Sequence, residues 1–225
     1  DRNAQFEHIS KRAGAYLHTG QPAVSVDTKK KEILGKLKNS GQTYRPKGKP
    51  VEVATHDFPD KELGKAIPYG VYDLAHNEAA VSVGMSHGRT RYPSAKLLLI
   101  TADCGGSNSP RTRLWRLELQ RLANTTGLKI EVCHFPPGTS KWNKIEHRLF
   151  CHITRNWQGV PLETFEIVVK LIGNTKTKEG LEVHCWLDET PYMKSRSVTD
   201  EQLLDIRIER NKFHGEWNYT ILPDQ

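Results

Sequence analysis

Three carboxylates in this chain have neighbourhoods that would let them do chemistry together. Asp27 ends a short β-branched run, Ala23-Val24-Ser25-Val26. Asp103 ends a longer apolar run, Leu97-Leu98-Leu99-Ile100-Thr101-Ala102, and Cys104-Gly105-Gly106-Ser107-Asn108 follows it. A continuous apolar run bounded by glycine or proline reads as a buried central strand. Ligand sites in open α/β sheets gather beyond the carboxyl ends of strands, so both aspartates belong at such an edge. Glu146 lies in the stretch His134 to Phe150, HFPPGTSKWNKIEHRLF. Pro136, Pro137 and Gly138 make a turn there, Thr139 or Ser140 offers an N-cap, and a helix follows with Trp142, Ile145, Leu149 and Phe150 on its apolar face. Glu146 falls at the edge of that face, within reach of a cleft. A lone helical glutamate is ordinarily a solvated residue paired with Lys or Arg. The two aspartates change that reading. Like charges gathered in one place need cations, and ligands that are all oxygen favour Mg²⁺ or Mn²⁺.

Those residues need elements to position them. Phe6, Ile9, Ala13, Tyr16 and Leu17 recur at helical spacing and stop at Gly20 and Pro22, which predicts an N-terminal helix over residues 1–20. The remainder, 21–225, reads as one domain with an insertion at about 30–62 and a C-terminal extension from about 175. The insertion carries Ile33, Leu34 and Leu37, a turn at Asn39-Ser40-Gly41, and the basic extended loop Arg45-Pro46-Lys47-Gly48-Lys49-Pro50. His56, Asp57 and Asp60 lie in it without metal-ligand spacing. Ile67 to Leu74 and Ala79 to Gly84 alternate as two strands joined at His76-Asn77. A parallel connection then needs a dozen or more residues, usually a helix. Only Met85 to Ala95 precedes the Leu97 strand, and it shows no helical periodicity. Leu114, Leu117, Leu119 and Leu122 predict a helix over 111–125, and Leu128 to Phe135 a strand. Helices are expected over 161–172 and 199–209, the latter opening on Thr199-Asp200-Glu201, with a strand over 181–187 between them. Trp217, in the aromatic tail, either docks into the core or stacks on bases.

The stretches SVDTKKKE, HDFPD, YGVYDLA, LLITADCGGSN, CHFPPGTSKWNKIEHRLF and HGEWNYTI resemble the Rhodopirellula-type DDE transposases, members of the RNase H-like transposase and integrase superfamily. The resemblance covers nearly the whole chain. It implies an α/β fold, an RNase H-like mixed five-stranded sheet flanked by helices, here with the helix between strands three and four shortened or missing. It makes Asp27, Asp103 and Glu146 the catalytic triad and the ligands of two Mg²⁺ (or Mn²⁺) ions, with Asp27 bridging them. The implied partners are double-stranded DNA, as transposon ends and target, and a second copy in a synaptic homodimer. The N-terminal helix becomes the remnant of a linker from a DNA-binding region. The implied location is the bacterial cytoplasm, associated with the nucleoid.

Composition agrees with a polyanionic partner. Lys and Arg number 33 against 26 Asp and Glu, a formal charge of +7, and the sequence pI is about 9.2. Lys29, Lys30, Lys31, Arg45, Lys47, Lys49, Lys141, Lys144 and Arg148 are the cations best placed for phosphates, and each has the alternative of a solvated surface charge. His147 stands beside Glu146 with the same ambiguity. No run of about 18 apolar residues and no signal peptide is present, which points to a soluble intracellular chain. Cys104, Cys133, Cys151 and Cys185 are scattered without a CxxC pair and read as reduced thiols rather than zinc ligands, although three neighbour a histidine. Two other functions use the same residues differently. A related nuclease would cut without joining strands, and a deletion-damaged remnant would bind DNA without chemistry.

Overall fold

A computed structural model of the chain describes residues 1–54, 64–81, 92–190 and 196–224. Among them the elements are α1 (Arg2–His18), β1 (Ala23–Thr28), β2 (Glu32–Ile33), β3 (Lys65–Ala66), β4 (Tyr69–Asp73), β5 (Glu78–Val81), β6 (Leu97–Ala102), α2 (Arg113–Thr126), β7 (Lys129–His134), α3 (Cys151–Asn156), α4 (Phe165–Gly173), β8 (Glu182–Cys185), α5 (Asp200–Leu204), β9 (Ile208–Arg210) and β10 (Asn218–Ile221). The main sheet runs β8-β5-β4-β1-β6-β7-β10-β9. Its centre is the arrangement expected of an RNase H-like sheet: β5, β4 and β1 are antiparallel, and β6 and β7 continue parallel to β1.

The sheet is wider than the expected five strands, with eight among the described residues. β8 adds parallel to β5, and β10 and β9 add antiparallel beyond β7. The C-terminal extension supplies all three. Unpaired edge strands are a liability, and these strands cover both edges of the five-stranded centre.

Alternation along the strands gives the sheet two apolar faces. Val24, Val26, Ile100, Ala102, Ile130, Val132, Tyr219 and Ile221 pack on one face against α2 and α5. Ala23, Leu99, Cys133 and Phe135 face the other way, against Ile9 and Tyr16 of α1. On that second face Tyr72, Ala79, Val81 and Val183 meet Ile145, Leu149, Phe150, Ile153 and Ile172. Each fully buried aliphatic side chain contributes ~1.5–3 kcal/mol, which makes the seam between sheet and helices the main source of rigidity. α1 is tied into that seam by polar bonds as well. Gln5, fully buried, donates to the His134 carbonyl and to Asn218 Oδ1. Arg12 holds both oxygens of Glu131, and the Tyr16 hydroxyl donates to the same carboxylate.

Several elements differ from their sequence expectation. The helix expected from Thr139 or Ser140 is a short 3₁₀ turn, Ser140–Trp142, then extended backbone at Asn143 (ψ 130), then helix. That break takes Trp142 out of the apolar face, and it is 55% exposed. The helix expected over 161–172 starts later, at Phe165, because the Thr164 hydroxyl caps the Ile167 N–H. The helix expected over 199–209 ends at Leu204; Thr199 caps it, but Ile208 pairs with Ile221 and draws the chain into β9. The aromatic tail becomes β10, and the Trp217 ring, half-buried, stacks on His214. In the insertion, β2 pairs with β3. His56, Asp57, Asp60 and most of the short Met85 to Ala95 connection lie outside the described residues.

Candidate active site

β1 and β6 are parallel neighbours in the register Ser25↔Thr101, so Asp27 and Asp103, each two residues further on, stand level at the carboxyl end of the sheet. Both follow the strand alternation onto the face that α1 and the Glu146 helix cover. Gly70 on β4 sits opposite Asp27. A side chain there would strike Ile145 Cδ1 and Phe150 Cε1, each at 2.8 Å. Hydrogen at this one position lets the Glu146 helix lie directly on the strand beside Asp27. Glu146 opens a π-helical turn, Glu146–Phe150, that runs into α3. Such wide turns recur at functional sites because they re-aim a side chain without ending the helix.

Each carboxylate is partly out of water, and all three are pushed toward the protonated form. Asp27 is 9% exposed, and its carboxyl rises to about 7. Burial is the main cause; the charge of Asp103 and then of Glu146 add to it, against hydrogen bonds from the Thr28 N–H and Asn143 that favour the anion. Asp103 is raised by burial, partly offset by the Gly105 N–H. Glu146 is raised by burial too, with Lys29 and His147 opposing. The charge of Asp103 raises both Asp27 and Glu146, as expected where carboxylates share a site.

The arrangement fits a divalent cation. Asp103 Oδ1 is buried and has no hydrogen-bond partner among the described residues. A buried carboxylate oxygen left without a donor is costly, and a cation would satisfy it. The donor set is entirely carboxylate oxygen, as Mg²⁺ or Mn²⁺ requires. The three carboxylates are set more openly than two tighter groups of ligand atoms elsewhere. His8, Glu131 and Cys133 form one, and Glu78, Glu182 and His184 the other, each within 4.8 Å. In the first, Arg12 and Tyr16 already occupy Glu131. In the second, an exposed His184–Glu78 pair at 2.9 Å lies on the β5–β8 edge.

Asp103 is held from behind by a polar chain that its sequence neighbours do not reveal. His134 Nδ1 lies 2.9 Å from the Asp103 carbonyl, and Nε2 lies 3.0 Å from the Tyr219 hydroxyl. Burial keeps this imidazole neutral, lowering it to about 4. Neutral histidine has one donor, so Nδ1–H faces the carbonyl and Nε2 accepts from Tyr219. Trp115 Nε1 then donates to the tyrosine oxygen. The histidine next to Cys133 thus braces the strand end that carries Asp103. Asn108, also buried, accepts from the Tyr69 hydroxyl and fixes the turn after Asp103.

The nine cations singled out in the sequence divide into two groups. Lys30, Lys31, Arg45, Lys47, Lys49, Lys141, Lys144 and Arg148 are exposed, as is His147. Lys29 is not. It is 7% exposed, its ammonium lies 4.5 Å from the Trp157 ring centroid and 3.3 Å from Glu32, and it faces Glu146 from within the protein. The four cysteines are free thiols, and burial raises each of them. No helix among the described residues is long and apolar enough to cross a membrane.

The family model for the Rhodopirellula transposase DDE domain matches residues 1–223. No curated protein matches the chain. Among solved structures it is similar to Mos1 transposase, in a paired-end complex with the left transposon end, at 16% identity and a TM-score of 0.42. That match covers 75% of this chain and 51% of the other, so the chain spans about half the length of that relative.

Proposed function

The chain belongs to the Rhodopirellula DDE transposase family, and from that premise we propose that it cleaves DNA at transposon ends and transfers the strand to a target, with Asp27, Asp103 and Glu146 holding two divalent cations, Mg²⁺ or Mn²⁺. The observation that carries this reading is the buried Asp103 Oδ1, without a partner among the described residues, level with a buried Asp27 and faced by Glu146. Bound there, the cations supply Lewis-acid polarisation of the phosphodiester and neutralise charge on the leaving oxygen.

The protein's own residues do the rest. The Thr28 N–H, 2.7 Å from Asp27 Oδ1, fixes one oxygen of that carboxylate. The bonds from His134 and Gly105 hold Asp103. Lys29 lies beside Glu146, where its ammonium favours the anionic carboxylate, while burial lowers the pKa of the lysine itself. Exposed Lys141, Lys144 and Arg148, on and just before the Glu146 helix, contact backbone phosphates next to the scissile bond, as do exposed Lys30 and Lys31 after β1. Arg45, Lys47 and Lys49 extend the track along the insertion loop. In-line displacement at a phosphodiester uses no covalent enzyme intermediate, so the mechanism needs no serine or cysteine nucleophile. Two copies act together, one on each end of the element.

The test is cleavage of a DNA duplex with Mg²⁺ or Mn²⁺ by the wild type and by Asp27→Asn, Asp103→Asn and Glu146→Gln. Each substitution is expected to lower the rate by ~10³-fold or more, since the ions supply several kcal/mol of transition-state stabilisation. A folded wild type that cuts nothing even with Mn²⁺ would overturn the active-enzyme reading. Cleavage without joining would reduce the function to that of a nuclease.

A further inference from the structure

Resting on the reading of the carboxylates as cation ligands, we infer that Ser25 and Asn143 are positioning residues that set the distance of Glu146 from Asp27. Ser25 and Asn143 are fully buried. The Ser25 hydroxyl donates to Asn143 Oδ1 at 2.5 Å and accepts from the Ile145 backbone N–H at 3.0 Å. Asn143 Nδ2 donates to the Val26 carbonyl at 3.0 Å, and the same amide favours the charged form of Asp27.

The geometry has a specific consequence. The first N–H groups of a helix have no partner inside it, and a residue just before the helix ordinarily caps them. Here the cap for Ile145 comes from the sheet, from the strand that bears Asp27. Ser25 lies two residues before Asp27 on the same face of β1, and Ile145 lies one residue before Glu146. Three buried hydrogen bonds thus join the carrier of one catalytic carboxylate to the carrier of another. The helix cannot slide along β1 without leaving the Ile145 N–H and the Asn143 amide buried and unpaired. Asn143 reaches this position through its extended backbone between the 3₁₀ turn and the helix, the break that also turns Trp142 outward. Both side chains spend their polar atoms on these buried bonds, and neither is a ligand in this arrangement. They act through the carboxylates they hold.

A purely structural clamp would affect folding alone, so the test reads cation binding. Mn²⁺ binding to the full chain is measured by the loss of the free-ion electron paramagnetic resonance signal, without DNA, for wild type, Ser25→Thr, Ser25→Val, Ser25→Ala and Glu146→Gln. Circular dichroism checks the fold of each. Thr and Val have the same shape, and only Thr keeps the hydroxyl, so their difference isolates the hydrogen bond. Half-saturation is expected to rise about tenfold in Ser25→Val and Ser25→Ala and to stay within about twofold of wild type in Ser25→Thr, as for other residues that orient metal ligands. Equal shifts in Thr and Val, or wild-type binding in a folded Val or Ala variant, would overturn the inference. Should Ser25→Val not fold, the comparison of Ser25→Ala with Ser25→Thr decides. If Glu146→Gln binds Mn²⁺ like wild type, the cation-site reading itself fails, and the clamp has no cation geometry to set.

Discussion

A methyl group at Gly70 is expected to slow the proposed DNA cleavage while leaving every charged group in place. The backbone does not demand glycine there, since Gly70 has no positive φ. Space is the constraint. A Cβ would stand 2.8 Å from Ile145 Cδ1 and 2.8 Å from Phe150 Cε1, with Phe150 Cζ at 3.1 Å. Carbon atoms rest at ~3.5–4.0 Å, so both side chains must retreat by roughly 0.7 Å. Ile145 is 0% and Phe150 2% exposed, so neither can swing into water. The helix has to move, and it carries Glu146. Overpacking a close-packed core costs ~1–3 kcal/mol. For a domain of this size that lowers Tm by roughly 4–8 °C at 2 kcal/mol. Catalytic groups tolerate displacements of ~0.5 Å, and errors near 1 Å cost ~10²-fold. Gly70→Ala is therefore expected to fold, to bind DNA as wild type does, and to cleave about 10 to 100 times more slowly in single turnover. Adding Ile145→Val removes one of the clashing atoms and is expected to restore part of both losses. Wild-type cleavage by Gly70→Ala, or a fall in stability without a fall in rate, would refute the argument that this contact sets the height of Glu146.

Three further outcomes follow from the same geometry. A Cβ on Gly105 would lie 3.1 Å from Asp103 Oδ2, so Gly105→Ala is expected to cut the cleavage rate about tenfold by displacing that carboxylate, with stability changed by less than about 1 kcal/mol in thermal unfolding. Asp27, raised to about 7 in the fold, binds its proton more tightly there than in the unfolded chain. Metal-free protein should therefore lose stability as pH rises from about 4 to about 7, by at most ~4 kcal/mol, and Asp27→Asn should abolish most of that loss in denaturant titrations at pH 5 and pH 8. Arg12 bonds both oxygens of Glu131, 9% exposed, so Arg12→Ala should cost ~2–3 kcal/mol, whereas Arg12→Leu with Glu131→Leu should recover most of it in a double-mutant cycle.

What was legible in the sequence was local. Leu97 to Ala102 is an unbroken apolar run and could only be a central strand, so Asp103 fell where the run ended. Asp27 was legible for the same reason, and Ile145, Leu149 and Phe150 marked the buried side of the Glu146 helix. What stayed hidden depends on partners far along the chain. Gln5 bonds Asn218 across nearly the whole length, and no local pattern marks either residue as buried. The tail became β10 because β7 offered it an open edge, and Ile208 left its expected helix because β10 then offered it another. Lys29 reads as the first of three surface lysines, yet strand alternation and the Trp157 ring draw it inside. The break at Asn143 was masked by its neighbours, which keep helical spacing on both sides. Its cause is Ser25, more than a hundred residues earlier, and only the folded sheet puts the two in contact.

Asp27, Asp103 and Glu146, if they form one cation site, should bind Mn²⁺ together. The most direct measurement is an anomalous difference map from crystals of the full chain soaked in Mn²⁺. Density is expected between Asp27 and Asp103, within bonding reach of Glu146, and it should disappear in Glu146→Gln or weaken to the aspartate pair alone. Density confined to Glu78, Glu182 and His184, with the three carboxylates bare, would contradict it.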